Sequence, residues 1–376
     1  MRIGIITLPL HLNHGGILQN FALQKVLKDM GHEVVTIEKK KKILLPLRKR
    51  YLAYIKRILK RYILRQPCEI LFEKNESQRY KIISSEIHPF IKKYIQIKEY
   101  NKFSSIKKDE YEALIVGSDQ IWRPLFFPEI QNAFLAFTQK WNIIRMAYAA
   151  SFGTEVWEYS KIRTQRLQKL ISCFDAVSVR ESQGVLLCKK YLHTDAQHVL
   201  DPTFLINRED YIEIFTKDHT LKSEGNLLVY LLDKTVEKEN IVNQIAIKKQ
   251  LKPFSINCSE VHNYKIDAYK RIQPSISQWL RGFYDAEFVI TDSFHACVFS
   301  IIFQKPFLAY GNAKRGLSRF TSLLALFHLK NRIIYNLNDV NSVLQDEINW
   351  TEVNTILKEK QKESISFLKT NLGKKI

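Results

Sequence analysis

Glycine and proline are scarce, with 12 and 10 in 376 residues, below the usual ~7% and ~5%. A collagenous chain, a low-complexity disordered chain and a glycine-punctuated all-β repeat are therefore excluded. The five cysteines, Cys68, Cys173, Cys188, Cys258 and Cys297, form an odd count with no CxxC pair and no zinc-like spacing. That pattern predicts free thiols in a reducing compartment, so the chain reads as cytoplasmic. No apolar run approaches the ~20 residues of a membrane-spanning helix; Val298–Phe303 is interrupted by Ser300. The opening run Ile3–Leu10 reads as a first strand rather than a signal peptide. His11, Asn13, His14 and a glycine pair stand where a small-residue cleavage site would be.

The length of 376 residues, with 45% hydrophobic side chains, predicts two domains. The net charge is +20, and between Lys39 and Arg65 there are 12 basic residues and no acid. In that stretch Leu44, Leu47, Tyr51, Ile55, Ile58, Leu59 and Tyr62 recur at three- and four-residue steps. The spacing puts apolar groups on one helical face and cations on the other. A helix lying in an anionic headgroup layer has this pattern, and so does a basic helix packed on its domain by the apolar face. Nucleic acid is not expected as a partner, because no zinc-finger, RNP or helix-turn-helix signature accompanies the charge. Pro46 and Pro67 place the helix at about 47–64.

Short β-branched runs alternate with helical patterns, which predicts an α/β fold with parallel sheets. Strands are expected at 2–8, 33–38, 113–117, 145–151, 176–179 and 198–200, and in a second series at 226–233, 254–257, 287–291, 306–311 and 332–337. The expected organisation is an N-terminal α/β domain over 1–206 with a helical, basic insertion at 39–108 and a linker at 207–225. A C-terminal α/β domain follows over 226–345, then a helix over 346–376 that returns to the N-terminal domain. The two Rossmann-like domains would face each other across a cleft.

Ligands in such sheets bind beyond the carboxyl ends of the strands. Residues with chemistry gather there. Asn13, Gly15, Gly16 and Gln19 of NHGGILQ follow the first strand, as a binding loop or a plain turn. Ser118, Asp119 and Gln120 of GSDQIW close another strand, where they could cap a turn or bind ligand hydroxyls. Asp201 and Pro202 read as an N-cap and the first helical position. Arg180 in SVRES stands at a helix start, where a cation calls for an anionic ligand or a salt bridge such as one to Glu181. In TDSFHA, His295 falls in the first turn of an apolar helix. A cation is disfavoured there until a polyanion binds, which suits a general acid. Lys305, Lys314, Arg315 and Arg319 lie just downstream and fit a substrate with phosphate and carboxylate groups.

In this order NHGGxLQ, GSDQIW, YAASFG, SVRE, LDPTFL, TDSFH, KPF and RGLSRF span about residues 3–330, and the set resembles the polysaccharide pyruvyl transferase family. The resemblance implies the two-domain fold of B-type glycosyltransferases. It further implies transfer of a pyruvyl group from phosphoenolpyruvate to two hydroxyls of a sugar, forming a ketal, with no cofactor and no metal. The saccharide acceptor would belong to a cell-surface polysaccharide or its polyprenyl-linked precursor at the inner face of the membrane. His295 matches the family's histidine, and Arg180 the arginine that meets the donor. Many members carry arginine two residues before the histidine. Here that place is Ser293, and Arg315 or Arg319 would take over the contact. Asp119 and Asp292 are the carboxylates available as base. Two rival readings are a nucleotide-sugar glycosyltransferase of similar fold and a non-catalytic scaffold of polysaccharide assembly.

Overall fold

The structure, a computed structural model, describes residues 1–40, 47–261, 263–311 and 317–373. Lys41, Lys42 and Leu44 of the basic segment, and the candidate cations Lys314 and Arg315, lie outside the described residues. In the first half, β1 (Arg2–Ile6), β2 (Glu33–Lys39), β3 (Ile97–Tyr100), β4 (Ala113–Gly117), β5 (Ile144–Ala150), β6 (Ala176–Val179) and β7 (Gln197–His198) form a parallel sheet in the order 3-2-1-4-5-6-7. In the second, β8 (Leu227–Tyr230), β9 (Pro253–Phe254), β10 (Phe288–Thr291), β11 (Phe307–Tyr310) and β12 (Ile333–Ile334) form another, in the order 12-11-10-8-9. The central strands β4 and β5 are buried along their whole length, as expected for strands covered on both faces.

The helices around the first sheet are α1 (His14–Asp29), α2 (Leu47–Tyr62), α3 (Phe72–Ile83), α4 (His88–Tyr94), α5 (Lys161–Ile171) and α6 (Ser182–Leu187). Around the second lie α7 (Arg208–Lys217), α8 (Val236–Lys249), α9 (Ile276–Asp285), α10 (Phe294–Ile302), α11 (Leu317–Leu326) and α12 (Val340–Gln345), and the chain closes with α13 (Trp350–Leu372). Every residue of α10 is buried, because FHACVFSII has no polar face to offer water. A single hydrophobic cluster runs from Ile3 and Leu18 through Phe204 to Phe299 and Phe307, so the two halves share one core. Helix α13 lies back on the first sheet. The Leu200 N–H donates to Ser364 Oγ at 3.0 Å, and the Phe367 ring sits 6.2 Å from that of Tyr148.

Three differences from the sequence reading have local causes. The insertion is not wholly helical, because 97–100 pairs with β2 as an edge strand; Gln24 anchors its start by donating to the Gln96 carbonyl at 2.8 Å. Strand β9 stops at Phe254. Beyond it Ser255 donates to Asn257 Oδ1 at 2.7 Å and Asn257 donates to the Leu231 carbonyl at 3.1 Å, local bonds that compete with the ladder. Helix α2 does not pack by its apolar face: Tyr51, Ile55, Leu59 and Tyr62 are exposed. Among the described residues no helix is long and apolar enough to cross a membrane.

Candidate active site

Both sheets change winding direction once, between β1 and β4 in the first and between β8 and β10 in the second, and such switch points open a crevice at the strands' carboxyl ends. The glycine loop after β1 enters the first crevice. Asn13 caps α1 by accepting from the Gly16 N–H at 3.2 Å. The next residue, His14, is buried and donates from Nε2 to the Pro274 carbonyl at 2.7 Å while stacking on Trp279. Burial lowers its pKa to about 4, so it is a neutral clamp between the halves. Gly15 then lies against His295: a Cβ added to it would stand 2.1 Å from His295 Cγ and 2.2 Å from Nδ1. Only glycine leaves room for the imidazole.

After β4 the chain turns through Ser118 (φ 27°) and Asp119 (φ 58°), and Ala149 near the end of β5 has φ 51°. Left-handed backbone at non-glycine residues is costly and gathers where a side chain must be aimed. The turn is held by the Ser118 N–H on the Tyr148 carbonyl and the Ser151 N–H on the Asp119 carbonyl, both at 3.0 Å. Asp119 is thereby directed at Arg180, at the end of β6, with Nη2 3.2 Å from Oδ1.

Arg180 is enclosed. Its Nη1 donates to Asp201 Oδ2 at 2.7 Å and its Nε to Glu181 Oε1 at 3.4 Å, with the guanidinium 4.3 Å from the centre of the Phe294 ring. Burial would lower the Arg180 pKa, but Asp201, Glu181 and Asp119 outweigh it and hold the group above its usual range. Burial would likewise raise both aspartates. For Asp201 the His295 imidazole and Arg180 prevail and hold the carboxyl well below its ordinary value; for Asp119, Arg180, His295 and Arg319 prevail. Of the two readings of Arg180, the salt bridge is present, to Glu181 and also to Asp119 and Asp201.

His295 enters from α10 of the other half. Its Nε2 is buried with no hydrogen-bond partner among the described residues. Asp201 Oδ2 lies 3.7 Å away, too far for a hydrogen bond but within strong electrostatic reach. Arg319 of α11 stands 5.8 Å from the other contact of the cluster, the Phe294 ring. Burial and the neighbouring Arg180 lower its pKa to about 10, which leaves it charged at neutral pH. The same helix reaches across to the Arg180 loop, where Ser322 Oγ accepts from the Ser182 N–H at 2.9 Å.

The remaining candidates hold the framework. Gln19 donates to Thr7 Oγ1 at 3.0 Å and to the Gly16 carbonyl at 2.9 Å, and Ser118 donates to Asp201 Oδ2 at 3.2 Å. Gln120 Oε1 occupies the space a side chain at Gly153 would need, 2.0 Å from its Cβ position. Ser293 precedes α10 without a side-chain cap bond. Asp292 is engaged at the second switch point, accepting from Leu232 N at 2.7 Å, Asp233 N at 3.2 Å and Lys238 Nζ at 2.6 Å; this removes it as a candidate base. Lys305 lies beside Tyr284, with Nζ 5.7 Å from that ring. Asp201 was read as a cap alone. It does cap, with Oδ1 accepting from the Thr203 N–H at 3.0 Å, but Oδ2 joins Arg180, Ser118 and His295. A cap uses one carboxylate oxygen, and that arithmetic was the available signal. In the sequence Glu181 reads only as a salt-bridge partner, and nothing in the pattern marks Phe294, whose ring lies against Arg180. Among the described residues no three His, Cys, Asp or Glu side chains converge as metal ligands.

Two parallel sheets, each reversing its winding once, sharing a core and a buried acid–base cluster at the carboxyl ends of their strands, define a B-type glycosyltransferase fold. Arabidopsis thaliana UGT89C1 in complex with UDP-L-rhamnose shares it at a TM-score of 0.50 and 9% identity, covering 98% of each chain. The S. aureus MnaA–UDP co-structure aligns at 0.48 and 13% identity, covering 99% of this chain and 96% of that one. The UDP-GlcNAc 2-epimerase of Neisseria meningitidis bound to UDP-GlcNAc aligns at 0.47 and 8%, covering 99% of each. No curated protein sequence matches. The family model for polysaccharide pyruvyl transferase matches residues 13–314. The chain belongs to that family, and it is a transferase.

Proposed function

We propose that the enzyme moves a pyruvyl group from phosphoenolpyruvate to two hydroxyls of a sugar in a cell-surface polysaccharide or its lipid-linked precursor. The observation that carries this reading is the buried Nε2 of His295, which has no hydrogen-bond partner among the described residues and lies 3.7 Å from Asp201 Oδ2, on a ring whose Cγ and Nδ1 abut Gly15. A proton carried there would be delivered to the methylene carbon of the enol phosphate, leaving an oxocarbenium-like centre at C2. One sugar hydroxyl attacks C2, the second displaces phosphate and closes the ketal. Of the two hydroxyl protons, one balances the proton on the new methyl group and the other leaves with phosphate.

The charges favour an anionic donor at one place. Arg180 is buried and Arg319 half-buried, both near the Phe294 ring, and an anion between the two cations would be attracted to both. Donor binding would take the place of Asp119, the more distant of the two aspartates on Arg180 at 3.2 Å. The displaced carboxylate is then available as base for a sugar hydroxyl.

Phosphate release from phosphoenolpyruvate, measured with a panel of saccharide acceptors and followed by mass spectrometry of the product, tests the reading. Acceptor-dependent release, lost in His295→Ala, is expected. Stabilisation by a nucleotide sugar with no release from phosphoenolpyruvate would replace it by the glycosyltransferase reading.

A further inference from the structure

Among the described residues the largest run of exposed apolar side chains lies on α2 and just beyond it. Leu52 is 67% exposed, Ile55 54%, Leu59 48%, Tyr62 68% and Ile63 69%. At roughly 100° per residue, Tyr51, Leu52, Ile55, Ile58, Leu59 and Tyr62 fall on one arc of the helix. The half-buried Ala53, Tyr54 and Arg57 fall on the opposite one. Arg57 fixes that inner side, donating from Nη1 and Nη2 to the two carboxylate oxygens of Glu73 on α3, both at 2.7 Å. The apolar arc therefore points away from the protein, with Lys56 along its edge and the exposed Lys60 and Arg61 further round the helix. A helix meant to pack on its own domain would be turned the other way.

We propose that α2 docks on a bilayer surface rich in anionic lipid, with its apolar arc among the headgroups and its cations on their phosphates. Charge complementarity selects this occupant, since the stretch between 39 and 65 holds 12 basic residues and no acid, of which Lys39 and Arg57 are paired with Glu129 and Glu73. Tyrosines at both ends of the arc suit the interfacial region. The inference goes beyond the donor assignment and stands without it.

The fold connects the docked helix to the candidate site by short steps. Arg57 holds α3; the last residue of α3, Ile83, accepts from the Gln273 N–H at 3.1 Å; the adjacent Pro274 carbonyl receives His14; and Gly15 abuts His295. A membrane-seated α2 thus sets the height of the cleft above the bilayer, where a lipid-linked acceptor would be presented.

Sedimentation of the full chain with phosphatidylcholine vesicles containing about 30% phosphatidylglycerol, against phosphatidylcholine alone, reads the effect. Binding to the anionic vesicles only is expected, weakened about 10-fold or more by about 0.5 M NaCl. Lys56→Glu/Lys60→Glu/Arg61→Glu should weaken it about 100-fold or more, and Ile55→Asp/Leu59→Asp about 10-fold or more. Both variants should keep the parent's melting temperature and its phosphate release with a water-soluble acceptor. Equal binding to neutral vesicles, no binding to either, variants that bind like the parent, binding to RNA but not to vesicles, or α2-dependent self-association in place of vesicle binding each overturns the proposal. The salt titration of the unaltered protein decides the matter even if a variant fails to fold.

Discussion

Gly15 and His295, from opposite halves of the chain, stand so close that a single methyl group on the first would lie 2.1 Å from the ring of the second. The contact makes the glycine loop a wall of the histidine's pocket. It also makes a sensitive test of the site.

Gly15→Ala should leave helix α1 intact, since alanine is favoured over glycine in a helix by roughly 1 kcal/mol. The methyl group must nevertheless push the imidazole aside, and a displacement of about 1 Å costs on the order of 100-fold in rate. Phosphate release should fall by that factor while circular dichroism stays unchanged. Full activity in the alanine variant would mean that the ring position does not matter to turnover.

Asp201 links Arg180, Ser118, Thr203 and His295. Asp201→Asn keeps the shape but leaves Arg180 short of one buried counter-charge, which should cost about 3 kcal/mol in denaturant unfolding. Activity should drop about 100-fold in kcat with a smaller change in KM. A variant with wild-type kcat and lowered stability would reduce Asp201 to a cap and salt-bridge partner.

Asp292 is predicted to matter to folding rather than to chemistry. Lys238 and Asp292 are both buried, and Asp292→Asn leaves the ammonium unpaired, destabilising the fold by about 3 kcal/mol. The fraction that remains folded should turn over at close to the parent rate. A loss of kcat beyond about 100-fold in fully folded protein would return this carboxylate to the list of bases.

His14 should make stability fall on acidification. Its folded pKa of about 4 lies below the ~6.5 of an unfolded histidine, so between these values the unfolded chain binds the extra proton. The stabilisation is complete above pH ~6.5 and declines as pH falls towards the folded value. Between pH 7.5 and 5 the loss is about 2 kcal/mol. His14→Gln, which can still donate to Pro274, should lose that part of the pH dependence, measured as the difference from the parent in paired denaturant titrations. Identical pH dependence in the two proteins would show that His14 is not the titrating group.

Much of the fold was legible along the chain. ALIVG and RMAYAAS read as strands because short apolar runs there are followed by helix or turn signals, and NHGG and TDSFHA stand out because small and polar residues end apolar runs at loop positions. The short edge strands β3 and β9 were misjudged, since their extent depends on the neighbouring strand and on side chains such as Gln24 and Asn257 rather than on their own pattern. Within the site, Asp119, Arg180 and His295 were picked out individually. Asp201 was read for one of its oxygens only.

The order of residues alone determined the alternation of strand and helix, the concentration of positive charge between 39 and 65 and the presence of the family motifs, because each is a local or periodic property of the chain. Tertiary structure alone decided that Arg180 is surrounded by three carboxylates, that Gly15 meets His295, and that the apolar arc of α2 faces outward. These are relations between groups far apart in sequence. Charges buried together set one another's ionisation through a poorly screening interior, and no run of residues records which of them will share it.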